Sequence, residues 1–191
     1  MRAPLSWLKE FTPLPDDVGV ITDALNQLGL EVEAVEEPGR EINGVVIARV
    51  LGLHPHPDAD KLRLVDIEFG VGETQVVCGA PNVVVGMVVA YAGSGATLPG
   101  GFTLEPRKIR GVLSDGMLCS SRELGLGEDH DGILDLSQEF ESGTDICEAM
   151  GLDDVVFDVS ITPNRPDAMS IIGIARDLAA HFELEFTLPA P

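Results

Sequence analysis

Residues 155–182 have the sequence VVFDVSITPNRPDAMSIIGIARDLAAHF, which contains the two patterns that decide the fold class. From Val155 to Ile161 alternate positions are apolar, which predicts a half-buried β-strand. After a loop with two prolines, Asp167 is a candidate N-cap for a helix. The apolar face of that helix repeats at helical spacing and comprises Ile171, Ile174, Ala175, Leu178 and Phe182. This stretch therefore predicts a strand followed by an amphipathic helix.

The beginning of the chain contains the same two elements in the opposite order. Val18, Ile21, Leu25 and Leu28 recur at helical spacing, and alternation then predicts a strand over residues 30–34. One strand and one helix do not close a core by themselves, whereas two such pairs do. We therefore predict that residues 1–39 and 152–191 form one small, discontinuous α+β domain.

The intervening residues 40–151 are rich in short apolar runs separated by glycine and proline turns. The predicted strands are Val45–Leu53, Leu62–Phe69, Gln75–Cys78, Met87–Tyr91 and a stretch near Ile133–Leu136, and a short helix is predicted over Thr144–Met150. About five short strands with such turns are typical of a small barrel. We predict an OB-fold β-barrel inserted into the discontinuous α+β domain.

The charge of the chain is strongly negative but unevenly distributed. The net charge is −20, which argues against binding nucleic acid or an anionic membrane through overall charge. Residues 123–148 contain nine acidic residues and no Lys or Arg, whereas residues 40–122 contain eight acidic and eight basic residues. Because salt screens charges beyond roughly 8–10 Å, a local basic patch on the barrel remains compatible with this acidity.

The candidate RNA contacts lie within this balanced region. Lys61 and Arg63 are two positions apart on a predicted strand and therefore face one side of the sheet. Arg107, Lys108 and Arg110 form the densest basic run, and the hydroxyl of Ser120 is a candidate hydrogen-bond donor. The spacing alone leaves an ordinary solvated strand face or a protected sheet edge as equal alternatives.

Other reactive side chains have weaker patterns. His54, His56, Asp58 and Asp60 could bind a metal ion, but the intervening prolines favour a stiff loop. Cys119 could be a nucleophile only with a histidine partner, so a buried structural cysteine is favoured. We therefore predict no catalytic residue and no metal site. The N-terminus has no signal sequence and no apolar run spans a bilayer, which predicts a soluble cytoplasmic protein.

Six segments, taken in order, resemble the N-terminal region of the bacterial phenylalanyl-tRNA synthetase β-subunit family. These segments are Leu5–Phe11, Leu28–Glu33, His54–Pro55 with Ala59–Arg63, Val77–Asn82, Ser114–Met117 with Ser120, and Ile161–Asp167 with Gly173–Arg176. Each segment alone is a modest match, but their order and spacing are specific. The resemblance covers essentially the whole chain.

The resemblance implies an OB-fold tRNA-binding module inserted into a discontinuous α+β domain. It also implies a holoenzyme of two α and two β chains that uses ATP and Mg²⁺ to join phenylalanine to its tRNA. In that family the aminoacylation site is on the α subunit, and editing lies further along β. We therefore expect a fragment that ends at a domain boundary, contributes tRNA contact and assembly, and has no catalytic site or cofactor of its own.

A free-standing protein is the main alternative to a synthetase part. Related OB modules occur alone as tRNA-binding or chaperone-like dimers. The predicted flanking α+β segments count against this alternative, because a lone module would not need them.

Overall fold

The computed structural model describes residues 1–188. In chain order, the elements are β1 (Arg2–Pro4), α1 (Leu5–Lys9), α2 (Val18–Gln27), β2 (Glu31–Glu36), β3 (Asn43–His56), β4 (Ala59–Glu68), β5 (Glu73–Cys78), β6 (Val88–Leu98), β7 (Phe102–Thr103), β8 (Arg107–Ile109), β9 (Val112–Ser114), β10 (Met117–Leu118), β11 (Asp135–Leu136), α3 (Ile146–Met150), β12 (Val156–Ser160), a 3₁₀ turn (Pro166–Ala168) and α4 (Ile171–His181). This mixture of mostly sheet with a few helices confirms the predicted α+β class. Within residues 1–188, no helix is long and apolar enough to cross a membrane.

The chain divides into two compact units. The first consists of Met1–Pro38 together with the chain from Asp153 onward, and the second is Gly39–Leu152. In the first unit, β12 lies between β1 and β2 and is antiparallel to both. The fully buried side chains of its core include Leu8, Ile21, Leu25, Leu30, Phe157, Ile174 and Leu178. Apolar residues of α2, β12 and α4 thus lie in one core.

The start of helix α4 differs from the sequence prediction. Ser170, and not Asp167, caps the helix by accepting a hydrogen bond from the N–H of Gly173 at 3.0 Å. Asp167 lies instead in the 3₁₀ turn that begins at Pro166, where its carboxylate accepts from Arg165 at 3.0 Å. The prediction was wrong because this extra turn separates the loop from the helix. The hydrogen bond from Arg165 lowers the pKa of Asp167.

The second unit contains a seven-stranded sheet whose main path is β10-β6-β3-β4-β5, with β7 and β11 also paired to β6. All five predicted strands are present, but their bounds differ. β3 extends beyond both predicted ends, β4 and β5 begin earlier than predicted, β6 continues seven residues past Tyr91, and β11 is shorter than predicted. The second unit has two clusters of buried apolar side chains, and β3 contributes to both. Val45 and Ile47 lie in one cluster, and Ala48 and Val50 lie in the other. Because side chains alternate across a strand, β3 is buried on both faces.

The two ends of this strand path, β10 and β5, are not paired with each other among the described strands. The backbone hydrogen bonds therefore do not form the closed barrel expected from the sequence. A side chain spans the gap instead, because the buried hydroxyl of Ser114 accepts from the N–H of Val77 at 3.0 Å. The same hydroxyl donates to the carbonyl of Gly116 at 2.9 Å. Ser114 thus links β5 to the turn that precedes β10.

One buried hydroxyl in the first unit is unsatisfied, and replacing it should stabilise the protein. Thr12 is 2% exposed, and within residues 1–188 its Oγ1 has no hydrogen-bond partner. We expect Thr12→Val to raise the free energy of unfolding by about 1 kcal/mol, because valine has the same shape and no polar atom to desolvate. Urea unfolding followed by circular dichroism measures the change.

Thr22→Val is the matched control for this substitution. The hydroxyl of Thr22 donates to the carbonyl of Val18 at 2.8 Å, so the same change there removes a hydrogen bond. We expect it to be neutral or to lower stability by up to about 1 kcal/mol. Equal effects of the two substitutions would contradict the assignment of Thr12 as unsatisfied.

Candidate nucleic-acid interface

The lysines and arginines of the two units differ in their partners. All four in the first unit are ion-paired, Arg2 with Glu36, Lys9 with Asp16, and both Arg165 and Arg176 with Asp167 and Asp177. In the part of the chain that the structure describes, the other eight form no ion pair; these are Arg40, Arg49, Lys61, Arg63, Arg107, Lys108, Arg110 and Arg122. The cations available to an external anion are therefore concentrated in Gly39–Leu152.

Three of these unpaired cations lie on the hairpin formed by β8 and β9. Arg107 and Lys108 are exposed on β8, opposite Ser114 and Leu113 of β9. The turn consists of Arg110 and Gly111, whose φ angles are 45° and 91°. Two consecutive residues with positive φ are what a two-residue hairpin turn of type I′ requires. Arg110 occupies a conformation that costs a non-glycine residue of order 1 kcal/mol, yet it places a third cation at the hairpin tip.

The hairpin is held at both ends by hydrogen bonds to other segments. At its base, the Ser114 hydroxyl bonds to the backbone of Val77 and Gly116, as described above. At its tip, the carbonyl of Ile109 lies 3.1 Å from Nε2 of His56. The hairpin is thus attached to β5 and to the end of β3, although it is not part of the seven-stranded sheet.

The two other predicted basic residues, Lys61 and Arg63, lie on β4 and have different environments. Lys61 is exposed and has no ion-pair partner in the described part of the chain. The guanidinium of Arg63 is partly buried and donates to the carbonyls of Ala80 at 2.5 Å and Val83 at 3.1 Å. Arg63 therefore holds the loop that follows β5, and much of its hydrogen-bonding capacity is used inside the protein.

Ser120 lies in a loop after β10 and is buried. Its hydroxyl donates to the carboxylate of Glu123 at 2.8 Å, and its N–H donates to the same oxygen at 2.6 Å. This arrangement orients the Ser120 loop but leaves the hydroxyl engaged within the protein. The sequence showed a small hydroxyl beside a glycine turn and gave no sign of this partner three residues later.

A cleft of about 950 Å³ lies beside the hairpin. The residues that line it include Cys78, Phe102, Arg107, Ile109, Arg122 and His130. Phe102 is 56% exposed, so its ring is accessible to a stacking base. Phe102 and His130 were not among the residues predicted from the sequence, because a single aromatic residue or histidine in a turn has no periodic signal.

The histidine–aspartate segment does not assemble the metal site considered as an alternative. His54 directs Nε2 to the carboxylate of Asp66 at 2.9 Å, and His56 uses its two nitrogens on backbone groups. Among residues 1–188, no group of three or more His, Cys, Asp or Glu side chains could hold a metal ion. The segment from His54 to Asp60 instead contains the turn between the paired strands β3 and β4.

The cysteine considered as a nucleophile is buried, as predicted. Cys119 is fully buried in the second unit, and this burial raises the pKa of its thiol to about 12. A thiol with such a pKa remains protonated at neutral pH and is a poor nucleophile. Cys119 is therefore not an activated nucleophile. The cleft is lined instead by cations such as Arg107 and Arg122 and by the ring of Phe102.

Comparison with known proteins matches the same unit to one family. The family model described as "Putative tRNA binding domain" matches residues 45–145. The phenylalanine–tRNA ligase beta subunit of Anaeromyxobacter dehalogenans is 50% identical over 192 residues, covering 100% of this chain and 24% of the relative. That of Syntrophus aciditrophicus is 47% identical over 180 residues, covering 94% of this chain and 22% of the relative. The chain thus spans about a quarter of the length of these relatives.

Among solved structures, a MetRS related protein from Pyrococcus horikoshii is similar at 21% identity with a TM-score of 0.40. The similarity covers 52% of this chain and 85% of that one. This score is too low to assign a fold.

Proposed function

We propose a function from the family to which the chain belongs, the tRNA-binding domains, and from its homology to the N-terminal part of phenylalanine–tRNA ligase beta subunits. In this proposal the chain contributes tRNA contact and assembly to such a ligase. In this role it does not catalyse the joining of phenylalanine to tRNA. It supplies a surface of Gly39–Leu152 to the sugar–phosphate backbone of the tRNA.

The observation that supports this proposal most strongly is the distribution of unpaired cations. A cation that already faces a carboxylate has little attraction left for phosphate, whereas an unpaired cation releases counterions when phosphate binds. Among residues 1–188, none of the eight Lys and Arg of Gly39–Leu152 faces a carboxylate, although the chain as a whole is acidic. The exposed members of this set, including Lys61, Arg107, Lys108 and Arg110, are of the second kind. These cations lie in the unit that matches the tRNA-binding family, which supports a role in contacting tRNA.

The individual residues have different proposed roles. Lys61, Arg107, Lys108 and Arg110 are exposed and contact phosphate groups. Arg63 and Ser120 act on the shape of the same surface, because Arg63 holds the loop after β5 and Ser120 orients the loop after β10.

The proposed fold of the second unit is a partly open OB-type barrel. Strands β3, β4 and β5 follow one another as antiparallel neighbours, β6 returns beside β3, and β10 pairs with β6. The Ser114 hydroxyl bridges the remaining gap between β5 and β10. Five strands in this order with one weakly closed seam fit the partly open barrel of an OB-fold. On this proposal the first unit is a discontinuous domain into which the barrel is inserted.

The role of the whole ligase follows from the relatives and is part of the same proposal. A ligase that joins phenylalanine to tRNA uses ATP and Mg²⁺, pairs this subunit with an α subunit in a tetramer of two α and two β chains, and acts in the cytoplasm. The relatives are about four times as long as this chain, since the chain covers 22–24% of them. Their length favours a ligase part over the free-standing tRNA-binding or chaperone-like module.

Salt-dependent binding of tRNA tests the proposal. We expect the 191-residue chain to bind a tRNA specific for phenylalanine with a Kd of roughly 10⁻⁶ to 10⁻⁴ M, typical of contacts made mainly to phosphate. The slope of log K against log salt should be about −3, because four phosphate contacts each contribute −0.7 to −0.9. Fluorescence anisotropy between 50 and 200 mM salt, about the range in which such contacts weaken, measures both values. No binding at the lowest salt would contradict the proposal.

A further inference from the structure

His56 lies at the end of β3, where its ring is almost fully buried at 5% exposure. Nδ1 accepts a hydrogen bond from the N–H of Asp58 at 3.1 Å. A neutral imidazole that accepts on one nitrogen donates from the other, so this bond assigns the proton to Nε2. Nε2–H therefore donates to the carbonyl of Ile109, 3.1 Å away. Both ring nitrogens are thus bound to backbone groups, one within the β3–β4 turn and one on the β8–β9 hairpin.

The β8–β9 hairpin depends on such an attachment. It forms a two-stranded sheet of its own and does not pair with the seven-stranded sheet. Isolated two-stranded hairpins are only marginally stable in water. Among the hydrogen bonds made by residues 1–188, Ser114 attaches the base of this hairpin, and His56 is the attachment near its turn. Without His56, no described hydrogen bond to another segment would remain near the end that contains Arg110.

We infer that His56 is a positioning residue for RNA binding, which holds the β8–β9 hairpin so that its exposed cations Arg107, Lys108 and Arg110 reach phosphate groups. The inference rests on the proposed function. His56 does not touch the RNA in this arrangement, because its ring is buried and both nitrogens are occupied. Its hydrogen bond also joins the hairpin to the β3–β4 turn, shortly before Lys61. The two hydrogen bonds of His56 thus connect the hairpin cations Arg107, Lys108 and Arg110 to the turn before Lys61.

Two substitutions separate the two hydrogen bonds of His56. In His56→Asn, the side-chain oxygen takes the place of Nδ1 and accepts from the N–H of Asp58 in an Asx turn, but no donor reaches Ile109. In His56→Gln, the side-chain amide reaches the place of Nε2 and donates to the Ile109 carbonyl. The glutamine variant is therefore the conservative rescue, and the asparagine variant releases the hairpin tip.

We expect His56→Asn to weaken tRNA binding by about fivefold, the effect of losing one ordering hydrogen bond, and His56→Gln to stay within about twofold of the original chain. Amide hydrogen exchange at Ile109 and Val112, the pair that closes the hairpin turn, should become faster in the asparagine variant only. Exchange in β3 and β6 should be unchanged in both, which shows that the unit remains folded.

A double-mutant cycle distinguishes positioning of the hairpin from a general structural effect. In a chain with Arg107→Gln, Lys108→Gln and Arg110→Gln, the hairpin has no cations left to position. His56→Asn should then leave tRNA affinity unchanged within about 1.5-fold, so the effects are non-additive. A fivefold loss in this background, equal binding by the asparagine and glutamine variants, or unchanged hairpin exchange would overturn the inference. Failure of the original chain to bind tRNA would instead overturn the proposed function, whatever the exchange experiment shows.

Discussion

Replacing Arg107, Lys108 and Arg110 together by glutamate is expected to lower the affinity of this chain for tRNA by about a hundredfold near 0.1 M salt, if each of the three contacts a phosphate. The cations are exposed and unpaired, so they need not leave a carboxylate before they bind. The slope of log K against log salt should fall in magnitude by about 2–3, because three counterion-releasing contacts are lost. Fluorescence anisotropy at several salt concentrations measures both changes.

A triple variant in the first unit controls for overall charge. Arg2→Glu, Lys9→Glu and Arg176→Glu together change the net charge by the same amount, but these cations already face carboxylates. Exposed ion pairs contribute little to stability, so this variant should fold. We expect its tRNA affinity to fall by less than about threefold, because the cations that it removes are already paired with carboxylates. Similar losses in the two triple variants would show that net charge, and not the hairpin, governs binding.

Gly116→Ala is expected to lower the free energy of unfolding of the Gly39–Leu152 unit by at least about 3 kcal/mol. Gly116 has a φ of 106°, which side chains rarely adopt. A Cβ at this position would overlap the carbonyl oxygen of Ala92 and lie 2.8 Å from the ring of Tyr91. The carbonyl belongs to the backbone of β6, so relief of the overlap requires movement of that strand. Urea unfolding measures the loss.

Gly95→Ala separates backbone strain from overlap. Gly95 has a similar φ of 88°, but a Cβ there would meet no atom within 4 Å. We expect a loss of only about 1 kcal/mol, the cost of the left-handed conformation alone. Equal losses for the two alanine variants would contradict the close approach of Gly116 to β6.

Tyr91, the single tyrosine of the chain, provides an independent measure of the packing between Gly116 and β6. Burial, followed by the nearby carboxylate of Asp115, raises the pKa of Tyr91 from 10.0 to about 12. The unfolded chain therefore loses this proton first, and stability falls as the pH rises from about 10 toward 12. Titration of tyrosinate absorbance should give a midpoint closer to 10 in Gly116→Ala, because the displaced ring is less buried.

The longer helices and strands of both units were predictable from local patterns, whereas short elements such as β1, α1 and β7–β10 were not. Helix α2 occupies Val18–Gln27 because its apolar residues recur on one face, and β12 occupies Val156–Ser160 because they alternate. These periods follow from the geometry of a single element and need no knowledge of its neighbours. The start of α4 was misplaced, since an extra 3₁₀ turn before Ser170 has no such period.

The roles of the candidate site residues were only partly predictable. The basic run at 107–110 is visible in the sequence, but the two-residue turn that makes it a hairpin became clear only from the φ angles of Arg110 and Gly111. Arg63 and Ser120 have the residue types of an RNA contact, yet their hydrogen bonds go to the backbone of the 80–83 loop and to Glu123. Residue type alone does not show which polar group a side chain will meet.

The sequence by itself determined the longer helices and strands, the acidic composition and the location of a basic run, because each depends on residues close together along the chain. Only the tertiary structure decided which cations remain free. Arg2 is neutralised by Glu36 and Arg165 by Asp177, both from separate elements, whereas Arg107 meets no carboxylate within residues 1–188. The contact between His56 and Ile109 likewise joins residues 53 positions apart. Ion pairs and hydrogen bonds act over a few ångströms, and folding alone determines which distant residues come within that range.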